Sequence, residues 1–146
     1  AQLKISELLK TTGLAVITIR DLDTVETAST LLATNNIGAL PVRDEHGDLI
    51  GVISERDIVR CFAADGAKVH LRLVRDLMSS KVITCDPDGD VNQAMAVMSQ
   101  RRIRHLPVVK DGQLLGMISS RDVMGAVIAE TRLERDVLRD VAIISR

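Results

Sequence analysis

Gly51-Val52-Ile53-Ser54-Glu55-Arg56-Asp57 is the stretch that decides the fold, and Gly116-Met117-Ile118-Ser119-Ser120-Arg121-Asp122 is its near copy. In each, an apolar run ends at a Ser, an Asp follows three residues later, and an Arg precedes that Asp. A Ser with an acidic residue three positions on is typical of a capping box, so the motif could simply end a strand and begin a helix. The same atoms could also hold a ligand. A helix N-terminus and an Arg favour phosphate, and a carboxylate can accept hydrogen bonds from ribose hydroxyls.

The two copies belong to a tandem repeat that covers most of the chain. Val16-Ile17-Thr18 matches Val82-Ile83-Thr84, and Leu40-Pro41-Val42 matches Leu106-Pro107-Val108 at the same offset. The turn of the second copy is one residue shorter than that of the first. When the alignment allows for this deletion, the two Ser-x-Arg-Asp motifs align as well. A match through several separate segments, in order, indicates duplication of one structural unit.

Hydrophobic periodicity predicts the same βαββα order in each copy. In the first copy we expect strands at 15–19, 39–43 and 48–53, a helix from an Asp23–Glu26 capping box to about Asn35, and a helix from Ser54 to about Ala64. In the second copy we expect strands at 82–85, 105–109 and 114–118, with helices at 91–101 and from Ser120. Hairpin turns are predicted at 45–48 and 110–113, the second on an Asp-Gly pair.

One such unit has too small a sheet to close a core alone, so we expect an α/β fold of two βαββα repeats packed about a pseudo-two-fold axis. The predicted parts are 1–68 (first repeat with a lead-in), 69–80 (linker and short helix), 81–130 (second repeat) and 131–146 (C-terminal helical extension). The last helix should carry an apolar stripe that one unit cannot bury, formed by Val123, Val127, Leu133, Val137 and Val141. Such a stripe favours a partner.

The amino-acid composition disfavours several classes of protein. The 146 residues are 46% apolar and 27% charged, with a net charge of −1 and neither Trp nor Tyr, which disfavours nucleic-acid binding. Cys61 and Cys85 are isolated and the histidines have no ligand spacing, so we expect plain thiols and no metal site. With no apolar run of membrane-spanning length and no signal-like segment, we expect no membrane partner and a cytoplasmic location.

The repeated order of Val-Ile-Thr, helix, Leu-Pro-Val, hairpin and Gly-x-Ile-Ser-x-Arg-Asp resembles a tandem pair of cystathionine β-synthase (CBS) domains, a Bateman module. The resemblance covers roughly residues 5–130. It implies a regulatory sensor of adenine nucleotides such as AMP, ATP or NAD, a homodimer formed through helices, and no catalytic cofactor.

The resemblance also implies that each cleft combines the Asp-bearing motif of one repeat with segments of the other. One predicted cleft contains Thr18, Gly38, Ala39, Pro41, Ser119, Arg121 and Asp122; the other contains Thr84, Arg104, His105, Pro107, Ser54, Arg56 and Asp57. In both, the Asp would hold the ribose.

The two predicted clefts differ in charge, because Gly38-Ala39 in one is replaced by Arg104-His105 in the other. Basic residues at these positions reach phosphates in some members of the family. The Asp57 cleft is therefore the better candidate for a polyphosphate or dinucleotide. Alternatively, the arginines at 101–104 could be a solvated helix end, where positive charge interacts favourably with the helix dipole.

Three functions are compared. The first is a nucleotide-sensing module, which the two complete motifs favour. Its regulated target is unknown. No enzyme or channel domain is present in these 146 residues, so we expect the module to act in trans or on a domain outside this sequence. The second is a ligand-independent interaction or dimerisation scaffold, which the long C-terminal stripe favours. The third, catalysis, has no support, because no nucleophile and base pattern is recognisable, so we expect no enzyme activity.

Overall fold

The computed structural model describes residues 3–12 and 16–144, which form two compact units. The first unit is Val16–Ile83, and the second combines Ala1–Ala15 with Thr84–Arg146. The elements, in chain order, are α1 (Ile5–Thr12), β1 (Ile19–Arg20), α2 (Val25–Asn35), β2 (Ala39–Arg43), β3 (Leu49–Ser54), α3 (Glu55–Asp65), a 3₁₀ helix (Gly66–Leu71), α4 (Val74–Leu77), α5 (Val91–Arg101), β4 (His105–Lys110), β5 (Gln113–Ser119) and α6 (Ser120–Ile144).

The first unit is built on a three-stranded sheet in the order β1-β2-β3, with β1 parallel to β2 and β2 antiparallel to β3. Apolar side chains from the sheet, from α2 and from α4 form one cluster: Ile19, Ala28, Leu32, Leu40, Val42, Ile53 and Val74. Leu40, Val42 and Ile53 have no exposed surface. Leu40 and Val42, which alternate along β2, therefore both face this core, as the period of a strand requires.

The second unit has a two-stranded antiparallel sheet, β4-β5. Its buried apolar residues come from α1, α5, the two strands and the start of α6: Ile5, Leu8, Leu9, Val91, Ala94, Met98, Leu106, Val108, Ile118 and Val123. The mixed α/β order of two repeats followed by a long helix agrees with the fold class expected from the sequence. The predicted pseudo-two-fold axis stays a prediction.

Each unit contains a short helix that precedes the other repeat in the chain. The helix α4 packs with the first repeat, where Val74 is fully buried, and α1 packs in the second unit, where the Ile5 N–H donates to the Gly89 carbonyl at 3.0 Å. Glycine makes both contacts possible: a Cβ at Gly51 would lie 2.5 Å from Met78 Sδ, and one at Gly116 would lie 2.7 Å from Leu9 Cδ2. Residues 5–12, in the lead-in that the sequence prediction groups with the first repeat, therefore pack in the second unit; the predicted domain boundaries stay a prediction.

The first strand of each repeat is shorter than predicted. Instead of a strand over 15–19, β1 covers Ile19–Arg20, and residues 16–18 have no regular structure; Ala15 lies outside the described residues. Instead of a strand over 82–85, a single parallel bridge joins Cys85 to Val108. There the Cys85 N–H donates to the Pro107 carbonyl at 2.9 Å. The ladder cannot extend further back, because proline has no N–H to continue it.

The start of α2 also differs from the prediction. Thr24 caps this helix, accepting at Oγ1 from the Thr27 N–H at 3.2 Å, whereas Asp23 Oδ2 accepts from the Arg20 N–H at 3.0 Å. The predicted Asp23–Glu26 capping box is therefore wrong by one residue. The helix ends where expected, with Asn36 in the left-handed region at φ 52°. Asparagine is one of the few residues that adopt this conformation at low cost.

The hairpin between β4 and β5 has the two-residue Asp-Gly turn that the sequence predicts. Asp111 and Gly112 both have positive φ, 51° and 76°, which is the type I′ geometry that matches the twist of the strands. A Cβ on Gly112 would meet nothing within 4 Å, so the cost of a side chain there is conformational only.

Replacing Gly112 by Ala is expected to lower the free energy of unfolding by about 1 kcal/mol, because the left-handed region is unfavourable for L-residues. Gly125, in α6, provides the matched control, since a Cβ there also meets nothing within 4 Å. Gly125→Ala should raise stability by about 0.5–1 kcal/mol, because alanine is the better helix former. Chemical denaturation measures both. If the two substitutions changed the free energy of unfolding in the same direction, this account of the turn would be wrong.

The last helix is the longest, with 25 residues against 11 in its counterpart α3. Val123 is fully buried, but Leu133, Val137 and Val141 are 66%, 53% and 54% exposed. The predicted stripe therefore begins in the core and continues onto an exposed surface. In the described part of the chain, no helix has the length and apolar character needed to cross a membrane.

Candidate functional site

Both Ser-x-Arg-Asp motifs lie where a strand becomes a helix, and both are capping boxes. At the start of α3, the Asp57 N–H donates to Ser54 Oγ at 3.3 Å, and the Ser54 N–H donates to Asp57 Oδ2 at 2.8 Å. At the start of α6, the Asp122 N–H donates to Ser119 Oγ at 3.1 Å, and the Ser119 N–H donates to Asp122 Oδ2 at 3.0 Å. The structural interpretation of the motif is therefore confirmed twice.

The cap engages only one oxygen of each carboxylate. Within residues 16–144, the hydrogen bonds to Asp57 and Asp122 all end on Oδ2, including a further one of 3.0 Å from Ser54 Oγ. Each Oδ1 keeps its full acceptor capacity, and both carboxyl groups are only half-buried. Capping and ligand binding are thus compatible, because they use different atoms of one side chain.

The arginine of each motif is exposed. Arg56 and Arg121 take part in none of the ion pairs found among the described residues. Both are in the first helical turn, where the helix dipole favours negative charge. Each helix N-terminus therefore combines an arginine that no described ion pair uses with a carboxylate oxygen that the cap leaves available.

The segment before the proline of each Leu-Pro-Val triplet adjoins the Ser-x-Arg-Asp motif of its own repeat. Ala39 pairs with Ser54 across the β2–β3 ladder, and the Glu55 N–H donates to the Gly38 carbonyl at 2.9 Å. His105 pairs with Ser119 in the same way, and the Ser120 N–H donates to the Arg104 carbonyl at 2.8 Å.

The predicted clefts draw their residues from both units. Thr18, Gly38, Ala39 and Pro41 belong to the first unit, as do Ser54, Arg56 and Asp57. Thr84, Arg104, His105 and Pro107 belong to the second, as do Ser119, Arg121 and Asp122. The structure therefore places these residues in four groups, two in each unit, which we call half-sites. Their role in binding and their combination into two clefts stay predictions.

The half-sites differ in charge and exposure. In the first unit Ala39 is buried and Gly38 is half-buried, whereas in the second Arg104 is exposed and His105 half-buried. Arg101 and Arg102 are exposed as well, and Arg102 occupies the left-handed capping position of α5 at φ 55°. The second unit therefore carries a concentration of positive charge at this end of α5.

A groove that the sequence did not predict lies next to Asp122. It has a volume of about 720 Å³, lies between α1 and α6, and is lined by Leu3, Glu7, Leu8, Thr11, Thr12, Arg121, Asp122, Gly125, Ala126, Ala129, Glu130 and Leu133. We call it the α1–α6 groove. Periodicity along α6 shows which residues share a face, but it cannot show that α1 packs beside them.

Both cysteines are free thiols and show no sign of activation. Burial and the nearby Asp86 carboxylate raise the pKa of Cys85 to about 12, so this thiol stays protonated at neutral pH. Burial and a hydrogen bond to Asp65 also raise the pKa of Cys61. Among residues 3–12 and 16–144, no cluster of His, Cys, Asp and Glu could hold a metal ion.

Comparison with known proteins identifies both repeats. The family model for the CBS domain matches residues 5–64 and 74–129. The mitochondrial CBS domain-containing protein CBSX3 of Arabidopsis thaliana is 40% identical over 116 residues, which are 77% of this chain and 56% of that protein. The chain covers 34% and 46% of relatives from Thermofilum pendens and Methanopyrus kandleri, so it spans about half or less of these curated relatives.

Solved structures of CBS proteins are similar over most of the chain. A CBS-domain containing protein from Agrobacterium tumefaciens has a TM-score of 0.81 and 33% identity, covering 84% of this chain and 92% of that one. The CBS domain pair of protein MJ0100, in complex with 5′-methylthioadenosine and S-adenosyl-L-methionine, has a TM-score of 0.79 and 27% identity. The match to the MJ0100 domain pair covers 89% of this chain and 99% of that one.

Proposed function

The chain belongs to the CBS-domain family, with repeats at residues 5–64 and 74–129, and on that premise we propose that it is a regulatory module that binds adenosine-containing ligands and acts on a partner protein in trans. The proposal assigns no catalytic step to the chain. It rests chiefly on one observation, which occurs twice: a capping aspartate whose second oxygen is available at a helix N-terminus.

The chemistry of the half-sites suits a nucleoside. A carboxylate oxygen in a half-buried position can accept hydrogen bonds from ribose hydroxyls, as acidic residues do in dinucleotide folds. Hydrogen bonds to a charged acceptor contribute about 1.5–3 kcal/mol each. We propose that the base binds next to the strand ends that begin at Ala39 and His105, which adjoin the two motifs.

The two clefts are proposed to prefer different ligands. The cleft that pairs Asp57 with Arg104 and His105 should favour a polyphosphate or a dinucleotide, such as ATP or NAD, because arginine binds phosphate oxygens in a bidentate geometry. The cleft that pairs Asp122 with Gly38 and Ala39 lacks this extra charge. It should favour AMP or an uncharged or cationic adenosine derivative. The ligands in the MJ0100 complex, which carry no phosphate, support adenosine as the shared element.

Isothermal titration calorimetry tests the proposal directly. The ligands to be titrated are AMP, ATP, NAD, S-adenosylmethionine and 5′-methylthioadenosine. We expect at least one of them to bind with a Kd of about 1 mM or lower, which corresponds to a binding free energy of at least ~4 kcal/mol in magnitude. GMP is the control for recognition of the base and should bind more weakly than AMP. If none of the five adenosine compounds releases or absorbs heat at millimolar concentration, the proposed function is wrong.

We also propose that the module is a homodimer formed through exposed apolar faces of α3 and α6. Val59 and Phe62 on α3 are 65% and 57% exposed, and Met124 and Ile128 on α6 are 53% and 46% exposed. Exposed apolar faces of this kind are typical of interaction surfaces.

A ligand-independent scaffold is the second candidate function, and the exposed length of α6 favours it. The two functions make different predictions for a captured partner. A regulatory module should bind its partner differently when the ligand is present or when Asp57 or Asp122 is substituted. A scaffold should bind it equally in all these conditions.

A further inference from the structure

Backbone hydrogen bonds show that Leu3, just before α1, is the counterpart of Arg72, just before α4. In the first unit, the Arg72 carbonyl accepts from the Val25 N–H at 2.8 Å, and Val25 begins α2. In the second unit, the Leu3 carbonyl accepts from the Val91 N–H at 3.0 Å, and Val91 begins the equivalent helix α5. A leucine therefore stands in the second repeat where the first repeat has an arginine.

In the first unit, the arginine at this position binds two carboxylates. Arg72 Nη1 lies 3.0 Å from Asp65 Oδ2, and Arg72 Nε lies 3.9 Å from Asp76 Oδ2. Asp65 is the last residue of α3 and the eighth after Asp57. Asp76 is the fourth residue after Arg72 and lies in α4. A single guanidinium thus bridges α3 and α4.

The second unit keeps both carboxylates but lacks the arginine. Glu130 is the eighth residue after Asp122 in α6, and Glu7 is the fourth residue after Leu3. Glu7, Glu130 and Leu3 all line the α1–α6 groove. Among the ion pairs of the described residues, none includes Glu7 or Glu130. The groove therefore presents two carboxylates at the positions that bind a guanidinium in the first repeat.

Two more replacements reduce the side chains at this groove. Gly125 in α6 stands where α3 has Arg60, each being the third residue after the aspartate of its motif. Ala126 stands where α3 has Cys61. Both small residues line the groove, whose volume is about 720 Å³. Sites for small molecules typically have volumes of roughly 300–1,000 Å³, so the groove is large enough for a ligand of that kind.

The charges that line the groove favour a cation. Glu7, Asp122 and Glu130 contribute three carboxylates and Arg121 contributes one guanidinium, which gives the lining a formal net charge of −2. Arg121 is far from the Glu130 end, because nine residues span about 13 Å along a helix. Positive charge is therefore most favourable near Glu7 and Glu130.

The rest of the lining favours an organic cation over a metal ion. In the part of the chain that the structure describes, no group of His, Cys, Asp and Glu could hold a metal. Most of the other side chains around the groove are apolar: Leu3, Leu8, Ala126, Ala129 and Leu133. An apolar wall beside a few polar groups is typical of a site for a small organic molecule.

We propose that the α1–α6 groove binds a small organic cation, a guanidinium or primary ammonium group on an apolar stem. The charged group lies between Glu7 and Glu130, in the place of the Arg72 guanidinium of the first repeat, and the stem packs on Leu3 and Leu8. A guanidinium suits this position because it can donate to carboxylates in a bidentate geometry. The site does not depend on adenosine binding.

NMR titration of the ¹⁵N-labelled full chain, without nucleotide, tests the proposal with n-butylguanidinium as the probe. We expect saturable shifts of groove amides with a Kd of about 1 mM, since exposed ion pairs and a four-carbon stem each contribute modestly. The neutral isostere n-butylurea has the same stem without the charge. It should bind about tenfold more weakly, because it cannot form the ion pairs.

Variants test the assigned positions. The double variant Glu7→Gln, Glu130→Gln removes both charges and should weaken binding of n-butylguanidinium about tenfold. Leu3→Arg supplies the guanidinium from within the chain, and it should abolish probe binding while Tm stays the same or rises, so loss of the fold cannot explain the effect. Glu134→Gln is the matched control, because Glu134 is an exposed carboxylate of α6 that does not line the groove. This control should bind the probe like the wild type.

Several outcomes would overturn the proposal. The first is the absence of saturable shifts at about 10 mM n-butylguanidinium, tenfold above the expected Kd. Equal affinity for n-butylurea would show that charge has no role, and wild-type binding by Leu3→Arg or by the double variant would remove the assigned positions. A last arm uses the peptide acetyl-Leu-Arg-Leu-amide, which copies residues 71–73. Binding of this peptide without binding of n-butylguanidinium would assign the groove to a protein segment instead.

Discussion

Asp57→Asn is expected to remove adenosine-ligand binding from one site, and Asp122→Asn from the other, with little change in stability. The asparagine side-chain oxygen can still accept the Ser54 or Ser119 N–H, so the capping box survives. The charge is lost, however, and an amide N–H₂ replaces the second acceptor that we assign to the ribose. Each hydrogen bond to a charged group contributes about 1.5–3 kcal/mol to binding. Because the substitution weakens the bonds to the ribose, the affinity at that site should fall about 100-fold or more.

Asp76 provides the matched control for these variants. It is the third residue of α4, and its Oδ2 accepts from the Leu73 N–H at 3.3 Å, but it lies outside both motifs. Asp76→Asn should leave calorimetric titrations unchanged. Equal losses of affinity from all three substitutions would show that they act through stability, and unchanged affinity in the Asp57 and Asp122 variants would remove those residues from the sites.

Leu40→Ala and Leu106→Ala should each destabilise the protein by about 2–5 kcal/mol, the usual cost of a cavity at a buried leucine. The two residues occupy equivalent places in the repeats and are 0% and 1% exposed. Because stabilities are marginal, at about 5–15 kcal/mol for a domain, either change removes a large part of the total. Urea denaturation of the full chain measures the loss.

Leu138→Ala serves as the comparison, because this leucine is 70% exposed. Its effect should stay within about 0.5 kcal/mol at concentrations where the chain does not self-associate. If Leu40→Ala or Leu106→Ala cost as little as this control, the described cores would not be the source of stability.

The elements that the sequence predicts best are those defined by local chemistry. The boundaries of α5 and β2 agree with the sequence, since caps, turns and periodicity specify them. The first strands were predicted too long, because a parallel ladder depends on the distant partner strand, and there Pro107 lacks the N–H that would continue it. The placement of α1 with the second unit is also non-local, since it arises from contacts such as that between Leu9 and Gly116.

For the candidate site, the sequence predicts the local capping chemistry but not the three-dimensional geometry. The capping role of Ser54 and Asp57 follows from their spacing alone. The cap also leaves one oxygen of the Asp57 carboxylate available. This depends on the three-dimensional geometry of the cap, which the spacing of residues in the sequence does not show. The α1–α6 groove depends on the packing of two helices far apart in the chain, so no local pattern could show it.

The central claim is that the two aspartates hold adenosine ligands, and native mass spectrometry of the intact chain measures this most directly. Wild-type protein titrated with the best adenosine ligand from calorimetry should gain the mass of one or two ligands per chain. If two ligands bind, each single variant, Asp57→Asn or Asp122→Asn, should lose one of them; if one binds, one of the two single variants should lose it. The double variant should bind none. Ligand adducts of equal abundance on the wild type and the double variant would contradict the account.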